Sequence, residues 1–157
     1  MLRRPRVWLY AAGIWLIGGA LAHAGAHVWT LVLENGMVGL REFAMNAMKQ
    51  AVSADPLRPS LWQTHRMLSA SFGLFLLFAG SVDVVLAWIY APRRVVAALM
   101  LFATVFWTFA FVPLAFIDPV IQPVLIVIVA VPLHAIAYLT AVAEEDHHTD
   151  LKQPADL

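Results

Sequence analysis

Two histidines, His23 and His27, stand four residues apart in the apolar run Leu16-Ile17-Gly18-Gly19-Ala20-Leu21-Ala22-His23-Ala24-Gly25-Ala26-His27. On a helix that spacing places both imidazoles on one face. A third, His65, precedes Arg66 at the start of a second apolar run. Neutral imidazoles ligate zinc, copper and iron. A pair from facing helices can hold haem, and three can hold zinc or copper. His23, His27 and His65 are therefore candidate ligands for haem or a divalent metal. The competing reading is that they hydrogen-bond to backbone carbonyls, Ser69, Thr30 or one another and tie helices together. A His-x-x-x-His pair without the glutamates of a metalloprotease or di-iron motif does not choose between them. Arg66 suits an anionic head group or a carboxylate, or it reaches for the membrane interface from a span's end.

Asp83, His134 and Tyr138 form a second candidate set, with His134 and Tyr138 one helical turn apart. Ionisable residues within membrane spans serve as proton relays, and a structural pair or a solvated carboxylate is the alternative. Met37, Met45, Met48 and Met67 invite comparison with soft copper ligands, but only Met45 and Met48 lie within one helical turn, and packing onto a bilayer is the expected role. Glu144, Glu145, Asp146, His147, His148 and Asp150 read as a metal-binding tract or as a solvated tail. No phosphate loop, nucleophile elbow or paired-carboxylate site is visible. The chain has no cysteine, which excludes disulfides, thiolate metal sites, cysteine-ligated clusters and the quinone-linked disulfide enzymes.

The elements that must position these groups follow from composition. Of 157 residues, 62% are hydrophobic and 13% charged, and mean hydropathy is +0.78. Soluble domains have about 45–50% apolar and about 25% charged residues, so this is the composition of a membrane protein. Ten basic and ten acidic residues cancel, leaving no global field for nucleic acid. Apolar runs predict spans over about 7–33, 61–90, 95–117 and 120–143, each meeting the length of about 20 residues that a crossing needs. A signal peptide cleaved near Ala20-Leu21-Ala22 rivals the first span, but the apolar run continues beyond that point, so retention is expected. Between the first two spans, Met37, Leu40, Phe43, Ala44, Ala47, Met48 and Ala51 recur at helical spacing and predict an amphipathic helix over about 37–52, lying at the interface. Residues 144–157 read as a polar tail, and the whole chain, 1–157, as one integral membrane domain.

Four spans put both termini on one side. Arg3, Arg4 and Arg6 share that side with Arg93 and Arg94, against Arg41, Lys49 and Arg58 opposite. The positive-inside rule then predicts cytoplasmic termini and an amphipathic loop outside. At 1.5 Å rise per residue, His23, His27, His65 and Arg66 fall in one outer layer, and Asp83, His134 and Tyr138 in an inner one. The stripe His65, Ser69, Gly73, Leu76, Gly80, Asp83 occupies one face of the second span. Small and polar residues favour helix–helix contact in membranes, so this face is expected to meet the small-residue face of the first span. The third span, with Phe106, Trp107, Phe109 and Phe111, is expected to contact lipid most.

The first-span Gly18-Gly19-Ala20-Leu21-Ala22-His23, the loop from Gly39 to Ala51 and the segment Leu61-Trp62-Gln63-Thr64-His65-Arg66-Met67 together resemble the small uncharacterised four-helix proteins of bacterial inner membranes. The resemblance implies a fold and no established activity. In outline the chain is also similar to small quinone- or redox-associated four-helix membrane proteins, without their motifs. The expectation is an all-α bundle of four transmembrane helices in the bacterial inner membrane, non-enzymatic, with lipid around it. His23, His27, His65 and Arg66 are expected to bind a hydrophobic small molecule or a membrane-protein partner. The alternative is a haem- or metal-binding redox protein, or an accessory subunit of a respiratory or photosynthetic complex.

Overall fold

The computed structural model describes residues 4–33, 39–50, 60–116 and 121–150. They form five helices, α1 (Pro5–Leu33), α2 (Leu40–Gln50), α3 (Leu61–Trp88), α4 (Arg93–Phe116) and α5 (Ile121–Asp150), and among the described residues there is no strand. Four of the five, all but α2, are long and apolar enough to cross a membrane. An all-helical solution is what a bilayer demands, because a helix satisfies its own backbone donors and acceptors.

Local signals set the boundaries. Pro5 opens α1 at the position where a missing N–H costs nothing. Gly39, with φ of 76°, precedes α2, which has Glu42 in its first turn and Lys49 in its last, both matched to the helix dipole. Ser60 and Gln63 form a capping box at the start of α3. The Gln63 N–H donates to Ser60 Oγ at 3.2 Å, and the Ser60 N–H donates to Gln63 Oε1 at 2.9 Å, so two otherwise orphaned donors are satisfied reciprocally. α3 stops two residues short of the expected end at Tyr90. Tyr90 takes a left-handed φ of 57°, and the Ala91 N–H donates to the Leu86 carbonyl at 3.2 Å, the closing bond of a Schellman motif. Pro92 follows, and α4 then begins at Arg93 rather than Val95, the Val96 N–H bonding back to the Pro92 carbonyl. The backbone of α5 continues to Asp150, into the stretch expected to be tail. The connections at 34–38 and 51–59, which hold Glu34, Met37, Pro56, Arg58 and Pro59, lie outside the described residues, as does 151–157.

The chain divides into two compact units, Met1–Ile17 with Phe78–Leu157, and Gly18–Leu77. In the first, Leu9, Ala87, Val96, Met100, Ala137 and Ala141 form a buried cluster, with Trp8, Tyr10 and Tyr138 against it. α1 and α3 touch closely there. A Cβ added at Gly13 would lie 2.7 Å from the Gly80 carbonyl oxygen, and one at Gly80 would lie 2.7 Å from that of Gly13. The close approach therefore uses Gly13, and Gly18 and Gly25 of the expected small-residue run have nothing within 4 Å. Trp15 donates its indole N–H to the Ile126 carbonyl at 2.9 Å. α5 contains Pro132, which leaves the carbonyl one turn before it without its usual helix partner.

Large apolar side chains cover the outside as well as filling the inside. Phe78, Trp88, Phe102 and Phe109 are all exposed, far more apolar surface than a water-soluble monomer presents. α4 has the smallest buried share of its span, 17% against 22–33% for the other three, in keeping with the helix expected to meet the most lipid, although Trp107, expected among its lipid-facing aromatics, is buried at 3% exposure. Its hydroxyls, on Thr104 and Thr108, donate to the carbonyls of Met100 and Thr104 in their own helix.

Candidate functional site

The outer set falls within the unit formed by residues 18–77. His23 on α1 reaches α3, where its Nε2 lies 2.9 Å from the Ser69 carbonyl oxygen and 2.8 Å from Ser69 Oγ. A carbonyl only accepts, so Nε2 carries the hydrogen for that bond and Nδ1 is the acceptor nitrogen of the neutral ring. Nδ1 is buried and has no partner among the described residues. Phe72 presents its edge to the imidazole at 5.5 Å between centroids. Gly73 leaves room for the ring, since a Cβ there would stand 3.3 Å from His23 Cδ2. Ser69 and Gly73 thus meet the first span as the stripe on the second predicts. His65, at the head of the stripe, does not. It is exposed and stacks on Trp62 at 5.9 Å.

His27 and Arg66 come together elsewhere in the same unit. They line an open groove of about 530 Å³ with Gln63, Met67 and Ala70. The groove combines a guanidinium, an imidazole and a carboxamide with the thioether of Met67 and the methyl of Ala70. His27 stands near the end of the first span and Arg66 near the start of the second, so the polar part lies where the apolar segments finish. Of the four expected residues, two share this groove, His23 is committed to Ser69, and His65 to Trp62. Among the described residues no three histidine, aspartate or glutamate side chains gather as metal ligands, so His23, His27 and His65 do not assemble into one set.

The inner set belongs to the other unit. Asp83 on α3 and His134 on α5 are buried, at 5% and 1% exposure, with His134 Nε2 3.0 Å from Asp83 Oδ2. The second ring nitrogen, Nδ1, lies 2.7 Å from the Ala130 carbonyl. Because that carbonyl has no hydrogen to give, Nδ1 must be protonated. One further proton then lies between Nε2 and Oδ2, and the pair is neutral overall whether it is written as imidazolium–carboxylate or as imidazole–carboxylic acid. Asp83 and His134, two members of the expected inner set, are thus in direct contact. Tyr138, the third expected member, is half-buried against the cluster around Leu9 and Ala141.

Two features of the structure were not part of the sequence expectations. The capping box at Ser60–Gln63 was open to view as a Ser-x-x-Gln pattern before an apolar run. The turn at Tyr90 was not, because a left-handed residue at a helix end is ordinarily glycine. That turn holds Arg6, whose guanidinium lies 3.7 Å from the centroid of the Tyr90 ring. No protein-family model, curated protein or solved structure matches the chain.

Proposed function

We propose that the protein is a non-enzymatic, multi-pass protein of the bacterial inner membrane that holds a hydrophobic, polar-headed ligand, or a segment of a membrane partner, in the groove of His27 and Arg66. The observation that carries this reading is the composition of the groove. Arg66 and His27 have no hydrogen-bond or ion-pair partner among the described residues, and beside them Met67 and Ala70 supply an apolar wall. Donors with no partner among the described residues, at a span's end next to apolar surface, suit a molecule whose head hydrogen-bonds and whose body lies in lipid. The order of basic segments supports cytoplasmic termini and an outward-facing groove. The exposed side chains of Phe43, Ala44 and Ala47 on α2, with Met45 turned in, support an interfacial position for that helix.

The test is retention of small hydrophobic molecules by the purified protein, measured by solvent extraction and mass spectrometry. Arg66→Ala and His27→Ala are expected to lose whatever species wild type retains in stoichiometric amount. His23→Ala is expected to keep it and to melt at lower temperature. Unchanged retention in both groove variants refutes the assignment. A second reading, a haem or metal redox protein or an accessory subunit of a respiratory or photosynthetic complex, is favoured by one observation, the unpartnered Nδ1 of His23. An absorption spectrum without a Soret band, together with metal analysis below stoichiometry, removes it.

A further inference from the structure

A second cavity, of about 290 Å³, lies in the unit that contains the N-terminal helix half, and its walls are Arg4, Pro5, Arg6, Ala91, Arg93 and Val96. Three of these six residues are arginines, and among the described residues none of the lining is acidic. Two helices begin here, α1 at Pro5 and α4 at Arg93, so first-turn N–H groups and the positive ends of two helix dipoles add to the arginines. Arg6 is pre-positioned. Its guanidinium carbon lies 3.7 Å from the centroid of the Tyr90 ring, a contact with the ring face that does not itself consume N–H donors. Tyr90 holds this position in a backbone conformation that a side chain ordinarily avoids.

Depth identifies the anion. The membrane-spanning segments of α1 and α4 begin at Pro5 and Arg93, so the cavity lies where hydrocarbon gives way to head groups. Within three positions of its lining residues in the chain, Val7, Trp88, Ile89 and Val95 are exposed apolar side chains, the surface that acyl chains would cover. Basic pockets at such a level bind lipid phosphates, and arginine matches phosphate with paired N–H donors.

We propose that the cavity of Arg4, Arg6 and Arg93 is a binding site for the phosphate of an anionic phospholipid. The site is separate from the groove of His27 and Arg66, and either can fail without the other. The test is native mass spectrometry of the full chain released from detergent micelles with phosphatidylglycerol or with phosphatidylcholine of the same acyl chains. Phosphatidylglycerol adducts are expected to exceed phosphatidylcholine adducts by about tenfold, and equal binding overturns the proposal. Each arginine near an anionic head group accounts for about fivefold in binding, so Arg6→Gln with Arg93→Gln is expected to weaken phosphatidylglycerol binding by about twenty-five-fold. The paired lysine variant, which keeps both charges, should lose only a few-fold. Wild-type-like binding in the glutamine variant counts against the site. If that variant loses its helical circular dichroism, wild type alone still decides. Its phosphatidylglycerol preference must shrink as salt rises from about 0.05 M to about 0.5 M, and a salt-independent preference overturns the electrostatic site. Inorganic phosphate in equal excess is expected not to displace the lipid. Displacement would mean that the cavity takes free phosphate and would overturn the lipid assignment.

Discussion

Removing either member of the buried Asp83–His134 pair should damage the protein far more than removing both. At 3.0 Å, two unit charges attract by about 5.5 kcal/mol at an effective dielectric of about 20. Drawing each ion out of water costs several kcal/mol, so the intact pair contributes little net stability. A single replacement changes the balance. Asp83→Leu leaves Nε2 of His134 facing an alkyl group with no partner, and His134→Leu leaves a carboxylate at a site only 5% exposed. Each should cost about 3–5 kcal/mol. The double variant Asp83→Leu/His134→Leu removes the unpaired group as well as its partner and should fall within about 1 kcal/mol of wild type, or above it. The coupling energy across the cycle is then at least about 5 kcal/mol, above the range of about 0.5–3 kcal/mol usual for neighbouring side chains.

The proton count adds a finer expectation. With Nδ1–H held by the Ala130 carbonyl, a neutral His134 offers Nε2 as an acceptor, and the amide of Asp83→Asn can donate to it. That variant should lose only about 1 kcal/mol, the worth of one neutral hydrogen bond. The assay is unfolding by sodium dodecyl sulfate in mixed micelles, followed by far-ultraviolet circular dichroism for the four variants and wild type. Additive costs in the double variant, or single leucine variants that unfold like wild type, would refute the reasoning.

Other perturbations follow from the same geometry. Gly13→Ala and Gly80→Ala each drive a methyl to 2.7 Å from a backbone oxygen and should lower stability by about 1–3 kcal/mol. Gly18→Ala and Gly25→Ala meet nothing within 4 Å and should leave thermal melting unchanged or raised, by about 0.5–1 kcal/mol in helix propensity. At the end of α3, Tyr90→Gly relieves the left-handed strain while losing the contact with Arg6, and Tyr90→Ala loses the contact and keeps the strain. The glycine variant should therefore be more stable than the alanine variant by about 1 kcal/mol or more, and the reverse order would show that the turn is not held as described. Ser60→Ala removes one half of the capping box and should cost about 1 kcal/mol, read as a lower melting temperature in micelles.

How much of this was visible in the sequence depends on which physical quantity each feature rests on. Helix number and the depth of each polar residue rest on length and hydropathy, which is why Asp83 and His134 could be assigned to one layer. Which residues touch within a layer rests on helix rotation, and small residues alone do not determine it. Gly18 and Gly25 are as small as Gly13, yet only Gly13 meets a carbonyl of the neighbouring helix. The same freedom separated His23, turned onto Ser69, from His27, turned into the groove with Arg66, although the two are one helical turn apart. His65 left its stripe because it lies close to the capped start of α3, where stacking on the half-buried Trp62 takes the place of a partner helix.

A division of labour among the polar groups follows. Those deepest in the spans are committed. His134 uses both ring nitrogens, on Asp83 and on Ala130, and no donor or acceptor remains on that ring for a ligand. His23 uses one nitrogen and keeps one. His27 and Arg66, next to the span ends, have no partner among the described residues, and Arg6, near the start of the first span, meets the face of the Tyr90 ring. A buried donor without a partner costs about 1–3 kcal/mol, whereas the same donor at the head-group level is satisfied by water or a lipid. Exchange with another molecule is therefore cheap at the ends of the spans and expensive in their middle. For that reason the ligand and lipid sites are assigned to the two ends, and the Asp83–His134 pair to holding α3 against α5.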